Sequence, residues 1–215
     1  MKDHEKVRVM LVDDHAVVRT GFRLLLESTD DIGVVGEADS GEEACRRYQE
    51  IRPDVVVMDV AMPGLGGIEA ASRILAGDPK ARILALSAHD DVSHPRRMLR
   101  AGALGYLSKR SAPETLIAAV RELAAGRRYL DAGLAQRMAL AQTTGAQNPT
   151  DALTEREFEV FMQLARGQSV SSIAGLLNLS PRTVGTHLYN IKQKLAAGNQ
   201  AELTLIAVRN GLLEP

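Results

Sequence analysis

Two kinds of hydrophobic periodicity divide this chain. Through residue 125, short continuous apolar runs alternate with segments whose apolar positions recur at helical spacing. The runs fall at residues 7–12, 34–38, 54–59, 82–87 and 103–108. A continuous run, unlike an alternating one, fits a strand buried on both faces. Residues 16–27, 41–51, 68–76, 92–101 and 113–125 read as the intervening helices. Pro113 falls in a first turn, where its missing N–H does no harm. Five strands alternating with five helices predict an α/β domain, a five-stranded parallel doubly wound sheet covered on both faces.

Past residue 151 only the helical period remains. Thr154 with Glu157 three residues on is a capping box, and Phe158, Phe161, Met162 and Ala165 follow at helical spacing. Ile173, Ala174 and Leu177 mark a short second helix; Ser180 and Pro181 start a third strongly. On that third helix Val184, Leu188, Ile191 and Leu195 form one apolar stripe, and the opposite side carries Arg182, Gly185, Thr186, Tyr189, Lys192 and Gln193. Short helix, tight turn and longer helix with a polar, basic face predict an all-α, four-helix domain of helix-turn-helix type. In the last helix, capped by Asn199, Leu203, Ile206 and Ala207 can face the bundle. Leu205, Val208 and Leu212 make a second stripe, either a partner surface or a second buried side.

Between the two patterns, residues 131–142 read as a helix with Leu134, Met138 and Ala141 along one face, and residues 143–150 as a small, polar tether. That helix fits the first domain, a dimerisation surface or an inter-domain brace equally well. The boundaries are therefore 1–127, a linker over 128–150, and 151–215.

Charge adds little at the level of the whole chain, whose formal net charge over 215 residues is −1. Within 151–215 six basic residues (Arg156, Arg166, Arg182, Lys192, Lys194, Arg209) balance six acids, but residues 180–195 hold three of the bases plus His187 and no acid. Positive charge is thus concentrated on the one helix suited to a DNA groove, whose N-terminal N–H groups can also bind a phosphate. No apolar run approaches the roughly 20 residues needed to span a bilayer, no signal-peptide core precedes the first strand, and the single cysteine, Cys45, has no partner. A cytoplasmic location without membrane association is the expectation.

The candidate chemistry lies at the strand ends. Strand one ends at Asp13 and Asp14, strand three at Asp59, strand four at Ser87, and strand five leads to Lys109. In open α/β sheets ligands bind beyond the carboxyl ends of the strands. Asp59 alone fits a turn cap just as well. Three converging carboxylates, however, repel one another unless a hard cation such as Mg²⁺ relieves them, and a lysine and a hydroxyl are suited to hold the oxygens of an acyl phosphate.

Val12-Asp13-Asp14-His15, Met58-Asp59-Val60-Ala61-Met62-Pro63-Gly64, Leu86-Ser87-Ala88 and Gly105-Tyr106-Leu107-Ser108-Lys109 together resemble the receiver domain of bacterial response regulators, a flavodoxin-like fold. The resemblance implies that Asp59 accepts a phosphoryl group from a phosphohistidine on a sensor histidine kinase. It also implies that Asp14 and Asp59 bind Mg²⁺ with the Ala61 carbonyl, Asp13 acting mainly through water. Ser87 and Lys109 would grip the phosphoryl group. Tyr106 would be the aromatic that swings inward on activation, although an ordinary strand tyrosine accounts for it too. Leu153-Thr154-Glu155-Arg156-Glu157 and Leu179-Ser180-Pro181-Arg182-Thr183-Val184 followed by His187 resemble the LuxR-type DNA-binding domain of the NarL/FixJ subfamily. That resemblance implies base contacts at Gly185, Thr186 and Tyr189. Arg182, Thr183, His187, Lys192 and Lys194 would touch or steer double-stranded DNA, and the last helix would form a homodimer on phosphorylation. Such a protein is a transcriptional regulator rather than an enzyme. A phosphatase using Asp59 as nucleophile and a DNA-binding regulator with a vestigial receiver are the rivals.

Overall fold

The structure, a computed structural model, describes residues 6–88, 93–143, 149–210 and 212–213. Residue 92 of the expected fourth helix and residues 144–148 of the expected tether lie outside these. The chain divides into two compact units, Met1–Leu140 and Ala141–Pro215.

In the first unit β1 (Val7–Val12), β2 (Ile32–Ala38), β3 (Val55–Asp59), β4 (Ile83–Ser87) and β5 (Gly105–Ser108) alternate with α1 (Ala16–Glu27), α2 (Gly41–Ile51), α3 (Gly67–Gly77), α4 (Ser93–Arg100) and α5 (Pro113–Ala124). All strand pairs are parallel. The expected five strands are six: β6 (Tyr129–Leu130) pairs with Gly105 and Tyr106, giving the order β2-β1-β3-β4-β5-β6. The reason is local. Gly105 has no side chain, and a Cβ there would lie 3.0 Å from the Tyr129 carbonyl oxygen, so the chain after α5 can close on β5.

Successive strand residues point to opposite faces, and the apolar runs serve both. Val9, Leu11, Val57, Leu84 and Leu107 pack with α1 and α5 residues such as Leu26, Val120 and Leu123. Met10, Val12, Val56, Met58 and Ala85 pack with Ala44 and Tyr48 of α2, Ala70 and Ile74 of α3 and Met98 of α4. β3 is buried along its whole length; each fully buried valine of that kind is worth about 1.5–3 kcal/mol. Helix α6 (Ala132–Thr143) joins the second of these cores through Leu134 and Met138. Of the three uses open to it, packing on the first domain is the one that the structure shows.

In the second unit a 3-10 turn, Pro149–Ala152, takes in two residues of the expected tether and buries Thr150. The unit continues with α7 (Glu155–Ala165), α8 (Val170–Leu176), α9 (Pro181–Leu195) and α10 (Gln200–Arg209). The three expected caps form: Thr154 and Glu157 make a reciprocal capping box, and Ser180 and Asn199 each accept a backbone N–H three residues on; Ser169, not singled out in the sequence, caps α8 in the same way. Phe158, Phe161, Ile173, Val184, Ile191 and Leu203 are sealed in the core. One expectation fails. Leu212 does not continue an exposed stripe with Leu205 and Val208. Helix α10 ends at Arg209, the Leu212 N–H donates to the Ala207 carbonyl at 2.9 Å, and the side chain folds into the core at 8% exposure.

Candidate functional site

The strand ends of the first unit converge as a parallel sheet requires. β1 delivers Asp13 and Asp14, β3 Asp59, β4 Ser87, and the turn after β5 Lys109. Asp13, Asp59 and Ser87 are 3%, 2% and 0% exposed. The Lys109 ammonium lies between two carboxylates, donating to Asp13 Oδ2 at 2.6 Å and Asp59 Oδ2 at 2.7 Å. Its backbone N–H is anchored on the Ser87 carbonyl at 2.8 Å. Asp59 Oδ1 accepts the Ala61 N–H at 3.2 Å, which places Ala61 beside the acceptor carboxylate. Tyr106 is buried with the α4 side of the sheet.

Electrostatics follows from this packing. Burial pushes the Asp59 carboxyl above its ordinary value, with Asp13 adding to the push and Lys109 opposing it. Burial works against charge on Lys109 as well, but its two carboxylate partners outweigh that and hold the ammonium above its ordinary value. Asp14 Oδ1 is buried without a hydrogen-bond partner; His15 Nδ1, 2.9 Å away, meets it only as an ion-pair neighbour. One donor atom each from Asp13, Asp14, His15 and Asp59 lies within 4.8 Å of the others. Carboxylates in excess of cations, one with an unsatisfied buried oxygen, are a donor set that fits a hard divalent ion.

Sequence reasoning missed the braces around this cluster. Arg19 donates to the Asp13 carbonyl at 2.6 Å and pairs with Glu37 at 3.0 Å. Glu42, on α2, accepts the Leu65 N–H at 3.0 Å and so pins the loop after Asp59. Neither had a local signal, because each acts across 6 to 23 positions of chain. His15 did have one, since it directly follows the Asp-Asp pair.

In the second unit the structure sorts the expected DNA-facing residues. Arg182, Thr186 and Tyr189 are all exposed on α9, and Gly185 stands open, with nothing within 4 Å of a Cβ built on it. Thr183 shares its hydroxyl with Ser180 at 2.8 Å in the cap. Lys192 donates to the Gly198 carbonyl at 3.0 Å. Lys194 donates to the buried Glu157 at 2.6 Å, tying α9 to α7. Burial pushes the His187 imidazole below its ordinary value, which leaves it neutral near pH 7. Positive charge on α9 therefore stands at both ends, Arg182 near the start and Lys192 in the last turn, while Lys194 is matched by Glu157. On α10, Leu205 is 53% exposed and Val208 partly so.

Comparison with known proteins agrees with both halves. Residues 9–121 match the response regulator receiver domain, and residues 151–207 the family described as bacterial regulatory proteins, luxR family. The chain is 41% identical over 210 residues to the response regulator GacA of Pseudomonas viridiflava, covering 97% of this chain and 98% of that protein. It is 41% identical over 208 residues to the response regulator UvrY of Escherichia coli strain K12, covering 96% and 95%. A solved structure of the two-component response regulator RcsB in complex with DNA is similar at a TM-score of 0.61 and 25% identity, over 94% of this chain and 98% of that one. The chain belongs to the NarL/FixJ-type two-component response regulators, a receiver domain followed by a LuxR-type helix-turn-helix domain.

Proposed function

We propose that this protein is a cytoplasmic transcription regulator, phosphorylated on Asp59 by a sensor histidine kinase, in which phosphorylation controls dimerisation and promoter binding. The observation that carries the reading is the Asp13–Lys109–Asp59 bridge, with Asp14 alongside, at the strand ends of a chain that also holds a helix-turn-helix domain.

An Asp59 oxygen would attack the phosphorus of a phosphohistidine as the P–N bond to the partner's imidazole breaks. Asp59, Asp14 and the Ala61 carbonyl, with Asp13 through water, would hold Mg²⁺, which supplies positive charge against the phosphoryl oxygens. Lys109 is already within bonding reach of Asp59 and can transfer its ammonium to a phosphoryl oxygen, joined by the Ser87 hydroxyl. The product adds about −2 charge, too much for one lysine beside Asp13 to leave the surroundings unaltered. Tyr106, on the buried face beside α4, is suited to follow that change. Leu205 and Val208 on α10 offer the dimer surface, and two half-sites would compensate for the few cations on each α9. None of the described helices is long and apolar enough to cross a membrane.

Incubation with acetyl phosphate and Mg²⁺ is expected to add one phosphoryl group by mass to wild type and none to Asp59→Asn, with a monomer-to-dimer shift by light scattering. Equal operator binding before and after phosphorylation would sink the switch. Absence of uptake would favour a vestigial receiver, and rapid multiple turnover on small phosphomonoesters an enzyme.

Gly185 gives a separate test of the DNA face. With open space around it, Gly185→Ala is expected to stabilise the domain by about 1 kcal/mol in urea denaturation, because alanine is that much better inside a helix. The same variant is expected to bind operator DNA more weakly if bases approach the α9 backbone there. Gain of stability with unchanged DNA affinity would remove Gly185 from the contact surface.

A further inference from the structure

Between α2 and α3, away from the strand ends, lies a cavity of about 230 Å³. Its floor is the buried Tyr48 and Ile74 with the half-buried thiol of Cys45; Arg52, Arg73 and Asp78 stand around its rim. The volume falls below the roughly 300 Å³ at which drug-sized sites begin, so it suits a molecule of about ten non-hydrogen atoms rather than a peptide. Arg52 reaches the rim from an unusual backbone. It ends α2 in the left-handed region at φ 49°, where glycine or asparagine is the ordinary occupant. Arg8 pins that turn, donating to the Ile51 carbonyl at 2.7 Å and the Arg52 carbonyl at 2.8 Å. Backbone held in a sparsely populated region is characteristic of binding sites, and here it carries a guanidinium. That group lies over the Tyr48 ring, 5.7 Å from its centroid, and donates through Nη1 to Asp78 Oδ2 at 3.1 Å.

We propose that this cavity binds a small planar organic carboxylate, its apolar body resting on Tyr48, Ile74 and Cys45 and its charge taken by the guanidiniums of Arg52 and Arg73. The rim holds two cations against one anion, and the anion is already satisfied. Asp78 Oδ2 accepts the Tyr48 hydroxyl at 2.9 Å besides Arg52, and Oδ1 accepts the Lys80 N–H at 3.1 Å. Arg73 pairs with Glu69 through Nε alone, at 2.9 Å, which leaves both terminal nitrogens of its fork uncommitted. A planar fork of that kind matches a carboxylate with two parallel hydrogen bonds. The floor adds no opposing charge. Burial pushes the Cys45 thiol up, and burial with the bond to Asp78 pushes the Tyr48 phenol up to about 12, so both are neutral near pH 7. The competing account is a packing gap rimmed by exposed ion pairs. Such pairs contribute little and select no ligand.

Calorimetric titration of the full chain with benzoate, benzamide and inorganic phosphate separates the two accounts. Alkylation by iodoacetamide, read by mass, places the ligand, because Cys45 is the single cysteine of the chain. Wild type is expected to bind one benzoate saturably and to alkylate more slowly in its presence. Benzamide keeps the shape without the charge, and should bind about tenfold more weakly, the scale of one charge-assisted hydrogen bond. Phosphate keeps the charge without the apolar body, and should also bind more weakly than benzoate. Arg52→Gly should lose benzoate affinity about tenfold while remaining folded, since glycine is at ease at positive φ. Arg73→Gln, at an exposed position of α3, should lose a similar factor. No saturable benzoate binding, binding that leaves Cys45 unprotected, equal affinity for benzamide or phosphate, or undiminished affinity in either folded variant would overturn the proposal.

Discussion

Gly67→Ala is expected to destabilise the receiver by about 3 kcal/mol, at the upper end of what overpacking costs. A Cβ on Gly67 would lie 1.9 Å from the Asp59 carbonyl oxygen and 2.9 Å from both the Asp59 carbonyl carbon and Val60 Cα. All three are backbone atoms, so no side chain can turn away to make room. The strand cannot yield easily either, since Val60 N–H donates to Leu86 O at 2.9 Å and Gly67 N–H to Val60 O at 3.1 Å. Glycine is required here for close approach, and it sets how tightly α3 returns to the strand bearing Asp59. Gly77, at the other end of α3, has open space where a Cβ would stand, with no atom within 4 Å. Gly77→Ala should therefore be neutral or stabilising by about 0.4–1 kcal/mol. Urea denaturation of the two variants makes the comparison. A Gly67→Ala midpoint no lower than that of Gly77→Ala would show that the loop relaxes freely, and with it that the position of Asp59 is not fixed by this contact.

The contrast between the two glycines also shows where the sequence is informative. Each flanks one end of the apolar helical stretch 68–76, and the two look alike there. Only the fold brings one of them against a carbonyl. The same holds more widely. The strands of the receiver are legible because each is a continuous apolar run, and Thr154, Ser180 and Asn199 are legible as caps because capping is decided within three residues. β6 is two residues long and has no run to read; it exists because Gly105 leaves room beside β5. Carrying a helical stripe past Asn210 misplaces Leu212, because the helix has already ended there. Lys194 looks like a phosphate contact in sequence, and its partner Glu157 is 37 residues away. The apolar face of α6 is visible in the sequence, but periodicity does not say which surface an apolar face will cover. In the site, residue types at strand ends reveal Asp13, Asp59 and Lys109, while the ammonium bridging the two carboxylates is a product of tertiary structure.

That bridge predicts the largest electrostatic effect in the molecule. Lys109→Met, which keeps length and removes charge, is expected to destabilise the receiver by about 3 kcal/mol at pH 7 in EDTA, the cost of breaking a buried ion pair on one side. Asp13 and Asp59 would then be buried together with no cation between them. The loss should depend on pH in a definite direction. Burial already holds the Asp59 carboxyl above its ordinary value of 3.8, and Lys109 is the main group holding it down. Without the lysine it rises further. Above pH 3.8 the folded variant then binds more protons than the unfolded chain, so its stability grows as pH falls and is lost as pH rises through the elevated value. Wild type, with Lys109 in place, should show the same trend more weakly. Mg²⁺ should stabilise the variant more than wild type, because it binds the folded state alone and no longer competes with an ammonium. Urea midpoints at pH 5 and pH 7, in EDTA and in Mg²⁺, measure all of this. A Lys109→Met defect equal at both pH values and unmoved by Mg²⁺ would mean that the lysine acts by packing, and the reading of Lys109 as the cation that offsets Asp13 and Asp59, drawn from its two short ion pairs, would have to be abandoned.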